Sequence, residues 1–287
     1  MERILVTGGA GSMGKEISLL LAEKGYRVRV FDIPKANFEG LEEKGIEVFK
    51  GDITDVASVT KSLIEVDPFV CLAAILPPLS EMKPDLAKAV NVEGTRNLVS
   101  AIAVSGNPIR LIFTSTVATY GDTTEKKPYV TADTPQNGRS NYAKTKISAE
   151  GIVRDAGINY TILRISGVVL AALLDPPEWP FVEGQRIELV CRDDVVAAIL
   201  GAVEARESTG KTLIVAGGKS WQMISNSFVR DFFKVLDIPF EDAEYAEVSH
   251  YSDWYDTKEA QALLHYQNTS FSAFIKKFQA AVDEVLG

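Results

Sequence analysis

Residues 3–14 read Arg3-Ile4-Leu5-Val6-Thr7-Gly8-Gly9-Ala10-Gly11-Ser12-Met13-Gly14. The apolar run reads as a buried strand, and the glycines at 8, 11 and 14 follow it without a gap. Glycine at those positions permits a tight turn, close approach of the backbone to a pyrophosphate, and close packing of helix on strand. The helix opening at Ser12 and Met13 points its free N–H groups and positive dipole end at the phosphates. A lone glycine pattern is weak. Strand, glycine turn and helix in this order supply the context that makes it a dinucleotide site.

Asp32 closes the second apolar run. A carboxylate there accepts hydrogen bonds from the ribose hydroxyls and repels a 2′-phosphate, so NAD is favoured over NADP. Lys35, close by, keeps NADP open as the alternative.

Outward from this stretch, short apolar runs recur at 27–32, 46–50, 69–73, 110–114 and 160–164. Rich in Val, Ile and Leu, they read as strands of a parallel sheet buried on both faces. Amphipathic helical patterns lie between them at 13–24, 55–64, 85–104 and 141–155. Strict alternation implies right-handed crossovers and an α/β, doubly wound parallel sheet of the Rossmann type. After Arg164 the rhythm breaks. Residues 166–190 read as loop, with Pro176, Pro177, Trp179 and Pro180 forming either a mobile lid over the substrate or a rigid surface loop. A helix at 192–204, a strand at 212–216 and helices at 221–236, 256–265 and 270–286 follow. Residues 1–165 thus read as the nucleotide-binding domain with the catalytic residues. Residues 166–287 read as a small, mostly helical substrate lobe, interleaved with the last strand and helix of the sheet.

The 287 residues suffice for a sizeable core, and a net charge of -9 argues against nucleic-acid and anionic-membrane partners. No apolar stretch approaches the roughly 20 residues that span a bilayer. Met1 runs directly into a strand pattern without a signal-peptide design, so the expected location is cytoplasmic. Cys71 and Cys191, with His250 and His265, have no metal-ligand spacing, and no metal is expected.

Tyr142-Ala143-Lys144-Thr145-Lys146 sets Tyr142 and Lys146 four apart, one turn apart on a single helix face. A tyrosine ionises near pH 10, roughly, and a neighbouring ammonium draws that value toward working pH. The phenol can then take a proton from a substrate hydroxyl, or give one back to a carbonyl. Spacing alone is weak evidence; position strengthens it. The helix follows a strand whose carboxyl end carries Thr114-Ser115-Thr116, and substrates of open parallel sheets bind at that edge. A hydroxyl there can hydrogen-bond an oxygen on which charge develops.

Together these residues resemble the extended short-chain dehydrogenase/reductases, the NAD-dependent epimerase/dehydratase family. The likeness runs along nearly the whole chain. It takes in Gly51-Asp52-Ile53, Leu72-Ala73-Ala74, Asn91-Val92-Glu93-Gly94-Thr95, Leu163-Arg164 and Arg192-Asp193-Asp194-Val195. The resemblance implies that Asp52 and Ile53 contact the adenine of NAD. It implies that Leu72, Ala73, Ala74 and Thr114 line the cofactor path, and that Asn91 sits near the active site as a structural or cofactor contact. It makes Thr116 the catalytic hydroxyl, with its neighbour Ser115 a second catalytic candidate, and Tyr142 and Lys146 both catalytic and cofactor-binding. A homodimer through the helices at 85–104 and 141–155 is implied as well.

Departures bear on the reaction. Sugar-nucleotide 4,6-dehydratases carry an Asp-Glu pair after the catalytic Thr; Val117 and Ala118 stand here. Neither side chain has a proton to give, which disfavours dehydration by that route. Cys71 replaces the usual histidine, and the lobe segment from 167 to 190 is short. Arg186 is either a phosphate ligand or a solvated surface residue. Three readings follow. The first is oxidation or reduction of a small hydroxyl or carbonyl substrate, a sugar or other small alcohol, with NAD. The second is a nucleotide-sugar 4-epimerase with tightly bound NAD. The third is a non-catalytic NAD-binding sensor.

Overall fold

The computed structural model describes residues 3–172, 179–248 and 252–286. Its first elements are β1 (Arg3–Thr7), α1 (Ser12–Glu23), β2 (Arg27–Asp32), β3 (Glu47–Lys50), α2 (Val56–Ser62) and β4 (Val66–Cys71). Next come α3 (Leu79–Met82), α4 (Pro84–Lys88), α5 (Thr95–Val104), β5 (Arg110–Thr116), α6 (Asn141–Asp155) and β6 (Asn159–Ile165). Then follow β7 (Val168–Val169), β8 (Arg186–Glu188), β9 (Val190–Cys191), α7 (Arg192–Glu204) and β10 (Thr212–Val215). The chain closes with β11 (Gln222–Ile224), α8 (Ser225–Leu236), α9 (Lys258–Leu264) and α10 (Phe271–Leu286).

Seven strands form one parallel sheet in the order β10-β6-β5-β4-β1-β2-β3. The order reverses at β1, and the loops after β1 and β4 meet where ligands of doubly wound sheets bind. Ile4, Leu5 and Val6 are fully buried, as a strand covered on both faces requires.

The chain folds into two compact units. The first comprises Met1–Thr116, Arg139–Leu163 and Ile199–Thr212; the second comprises Val117–Gly138, Arg164–Ala198 and Leu213–Gly287. The core of the first includes Leu5, Phe31, Phe69, Leu98, Phe113, Ala149 and Ile162. That of the second is aromatic, built on Trp179, Trp221, Phe228, Phe274 and Phe278.

Four expectations change. The helix over 85–104 is interrupted by a π-helical turn at Ala89–Gly94. The helix expected from 221 starts at Ser225, because a 3-10 turn (Lys219–Trp221) and β11 precede it. The stretch 166–190 holds three short strands, with β7 parallel to β9 and β8 antiparallel to β11. Strands of two or three residues leave no periodicity to read. Of the suggested lid, Pro176 and Pro177 lie outside the described residues. Trp179, by contrast, is buried, with its ring 5.7 Å from Phe181 and 5.5 Å from Phe228.

Candidate active site

The glycine turn is built by close approach. Gly8 has φ +68°, and a Cβ there would stand 2.8 Å from the Ala73 nitrogen. At Gly14 a Cβ would fall 2.1 Å from the Gly8 carbonyl oxygen, so helix α1 can start only with glycine in that place. The N-cap of α1 is Gly11, which offers no side-chain cap, and no acidic residue occupies the first turn. The N-terminus of α1 therefore offers an anion backbone N–H groups uncontested by a side-chain cap. Ser12 is exposed, and Met13 half-buried, at this helix start.

Asp32 ends β2 beside the turn. Its Oδ2 accepts the Ala10 N–H at 3.0 Å and its Oδ1 the Ile33 N–H at 2.8 Å. The carboxylate is thus oriented while retaining lone pairs for ribose hydroxyls. Lys35 is exposed. Asp52, after β3, accepts from both the Thr54 N–H (2.9 Å) and hydroxyl (2.7 Å). Ile53 is 5% exposed and packs in the core, so its backbone is what it can offer an adenine. Leu72, Ala73 and Ala74 are half-buried just beyond β4, which ends at Cys71 rather than 73.

Asn91 is 2% exposed and fully engaged. Its Oδ1 accepts the Ile75 N–H at 2.7 Å, while its Nδ2 donates to the Ile75 carbonyl and the Thr145 hydroxyl, each at 3.0 Å. The side chain ties the loop after β4 to α6 and has no donor left for a cofactor. Thr145 in turn donates to the Tyr142 carbonyl at 2.8 Å.

Period-two alternation along β5 sorts the three hydroxyls. Thr114 donates to the Cys71 carbonyl at 2.8 Å. Ser115, on the opposite face, donates to Glu150 at 2.5 Å, and Glu150 accepts from Arg154 at 2.7 Å. Glu150 is completely buried, so this trio joins strand to helix beneath the site. Thr116, half-buried at the strand end, shares the face of Thr114.

Helix α6 carries Tyr142, half-buried, and Lys146, 3% exposed. Lys146 Nζ donates to the Thr114 carbonyl at 2.9 Å and lies 4.9 Å from the Phe113 ring and 6.0 Å from the Tyr142 ring. Burial lowers the Lys146 pKa, opposed by the nearby Cys71 and Glu150. Burial likewise raises the Cys71 thiol, against the pull of Lys146.

The sequence missed how α6 is capped. Ser140 accepts the Ala143 N–H at 3.1 Å, and Glu81 accepts those of Asn141 (2.9 Å) and Tyr142 (3.0 Å). A contact across 60 positions leaves no local signal. Arg186 is half-buried, and most of its guanidinium is committed to the protein itself. It donates to both oxygens of Asp253 (2.7 and 3.0 Å) and to the carbonyls of Thr124 (3.1 Å) and Lys126 (3.0 Å). Among the described residues, no group of three or more His, Cys, Asp or Glu is placed to hold a metal. No described helix is long and apolar enough to cross a membrane.

The model of the NAD dependent epimerase/dehydratase family matches residues 4–176. The chain belongs to that family, whose members are NAD-dependent enzymes of the extended short-chain dehydrogenase/reductase type. It is 31% identical over 165 residues to D-erythronate dehydrogenase of Cupriavidus necator, covering 53% of this chain and 49% of that one. It is 34% identical over 177 residues to UDP-glucose 4-epimerase of Lactobacillus helveticus, covering 59% and 53%. The chain thus spans about half the length of these curated relatives. Two solved structures share the fold over almost their full length. A short-chain dehydrogenase/reductase superfamily protein from Agrobacterium tumefaciens with bound NAD superposes with a TM-score of 0.82 at 21% identity, covering 99% and 98%. UDP-glucose 4-epimerase from Thermotoga maritima, with UDP-glucose, also gives 0.82, at 22% identity, covering 99% and 100%.

Proposed function

We propose that this protein is an NAD-dependent oxidoreductase acting on a small hydroxyl or carbonyl substrate, a sugar or other small alcohol. The observation that carries the reading is Lys146, buried beneath β5, bonded to the Thr114 carbonyl and one helical turn from Tyr142. The glycine turn, the uncapped N-terminus of α1 and Asp32 fit a dinucleotide with an unmodified ribose. Gly8, Gly11, Ser12, Met13 and Gly14 would hold its pyrophosphate, and Asp52 and the Ile53 backbone its adenine. Leu72, Ala73, Ala74 and Thr114 would line its path. When bound, NAD takes up or returns the hydride of the substrate carbon.

The protein moves the proton. Tyr142 accepts it from the substrate hydroxyl during oxidation and donates it during reduction, while Lys146 favours the phenolate. Thr116 hydrogen-bonds the same oxygen as charge builds on it. Ser115, spent on Glu150, supports the strand instead. Val117 and Ala118 provide no acid to expel a second hydroxyl, so net loss of water is not part of this reading.

Two further observations narrow it. The donors of Arg186 that face Asp253 and the two carbonyls are committed, which weakens the case for a nucleoside diphosphate in its reach. The free thiols Cys71 and Cys191 are buried, in keeping with a reducing cytoplasm. For assembly, we favour a homodimer through α5 and α6; a monomeric mass in solution would remove that part.

The test compares two assays on the purified protein. Steady NADH production from NAD with a panel of small sugars, sugar acids and alcohols supports the oxidoreductase. Interconversion of UDP-glucose and UDP-galactose without net NADH would replace it with the epimerase reading, which the Lactobacillus helveticus relative favours.

A further inference from the structure

Tyr142 occupies the first turn of α6, where helices fray most readily because their leading N–H groups lack intrahelical partners. Here those groups are met. Ser140 takes the Ala143 N–H, the N–H groups of Asn141 and Tyr142 go to Glu81, and the Ser140 carbonyl accepts the first intrahelical bond, from Lys144 at 3.0 Å. Each carboxylate oxygen takes one: Oε2 the N–H of Asn141, Oε1 that of Tyr142 itself. From this geometry we propose that Glu81 is a positioning residue for Tyr142. Its carboxylate clamps the first turn of α6, and its charge sets the field in which the phenol works. The inference rests on the catalytic reading of Tyr142 for its meaning, but not for its test.

Three features support it. Glu81 sits on α3, in the loop region after β4 that Asn91 also ties to α6 through Thr145, so two separate fastenings converge on one helical turn. Burial would raise the Glu81 carboxyl, yet the N–H groups of Tyr142 and Asn141, with Ser80 and Lys144, hold it below the usual range. It therefore remains an anion throughout neutral pH. Finally, the charge opposes the positive end of the α6 dipole, which would otherwise favour ionisation of a phenol in the first turn. Other charges are accounted for. Lys144 and Lys146 belong to α6 itself, Arg139 just before it is exposed, as are Lys83, Asp85 and Lys88 on the α3–α4 segment, and Glu93 pairs with Arg96 at 3.1 Å. Beneath the helix Glu150 is held by Ser115 and Arg154, and Arg110 of β5 donates to the carbonyl oxygens of Ala202 and Ala205.

The phenolate absorbance of Tyr142 can be isolated from the other tyrosines by subtracting the titration of Tyr142→Phe. Glu81→Gln keeps an acceptor oxygen but removes the charge. It should move the Tyr142 midpoint toward acid by roughly 0.2 to 0.7 of a pH unit, and less so at high salt. Glu81→Ala removes both acceptors and should raise amide hydrogen exchange at Asn141, Tyr142 and Ala143, leaving β1 and β5 protected. An unmoved midpoint in Glu81→Gln, or unchanged exchange in Glu81→Ala, would overturn the proposal. Both readouts are taken without substrate. Full turnover by Tyr142→Phe would sink the catalytic reading and leave these two results standing.

Discussion

The Lys146 ammonium is bonded to the Thr114 carbonyl at 2.9 Å and stands 6.0 Å from the Tyr142 ring centroid. Strand β5 thereby fixes the height of the cation on α6, and the helix fixes its distance from the phenol. Replacing Lys146 with Met should lower kcat by about 10²-fold or more. The pH–rate profile should move to the alkaline side, since loss of a positive charge disfavours the phenolate. Steady-state kinetics across pH would check this; an unshifted profile would contradict it.

The glycines of the turn should separate by phenotype. A methyl at Gly14 meets the Gly8 oxygen at 2.1 Å and the Gly9 Cα at 2.6 Å, so Gly14→Ala should lower the melting temperature sharply. At Gly11 the nearest atom is the Gly8 oxygen at 3.2 Å, a contact that a shift of a few tenths of an ångström relieves. Gly11→Ala should therefore fold nearly as well while binding NAD weakly, if the turn holds the pyrophosphate as proposed. Melting curves beside NAD titrations would distinguish the two.

Arg186 holds a carboxylate, Asp253, whose side chain is only 1% exposed. Among the described residues, removing the guanidinium leaves that charge with the Thr123 hydroxyl (2.7 Å) and the Trp254 N–H (2.8 Å). Arg186→Ala should destabilise the protein by roughly 3 kcal/mol in denaturant unfolding and leave affinity for free UDP unchanged. Lost UDP binding with intact stability would make Arg186 a phosphate ligand after all.

Glu188 gives the second unit a pH dependence of its own. It is buried, and burial pushes its carboxyl from an ordinary 4.5 to about 7, despite N–H bonds from Tyr255, Gln222 and Gly218 and with the charge of Asp253 adding to the rise. With the folded value above the unfolded one, the folded state binds the proton more tightly. Its stabilisation is complete below about pH 4.5 and is lost as pH rises through about 7. Thermal melts should show this decline between those limits, and Glu188→Gln should flatten it. An identical slope in the variant would assign the effect elsewhere.

Much of the fold is legible because its strands are covered on both faces, and apolar runs such as Ile4-Leu5-Val6 announce that directly. The one-turn spacing of Tyr142 and Lys146 and the tight packing of the glycine turn were equally readable, since each depends on spacing along a short local stretch. What escaped depends on pairing between distant segments: Glu81 with α6, Ser115 with Glu150, Arg186 with Asp253. The alternation of β5 already sets Ser115 on the face opposite Thr116; only its partner was hidden. In the second unit, β7 and β9 span two residues each and carry no period at all.

The π-helical turn at Ala89–Gly94 makes this region sensitive to length rather than composition. Such a turn holds one residue more than an α-helix would accommodate in the same place. Deleting a single residue there would let α4 run straight into α5 and swing Asn91 about 100° around the axis. Ile75 and Thr145 would lose their shared partner without any contact residue being mutated. Insertions and deletions, otherwise tolerated best in loops, here reach into the helix that carries the tyrosine.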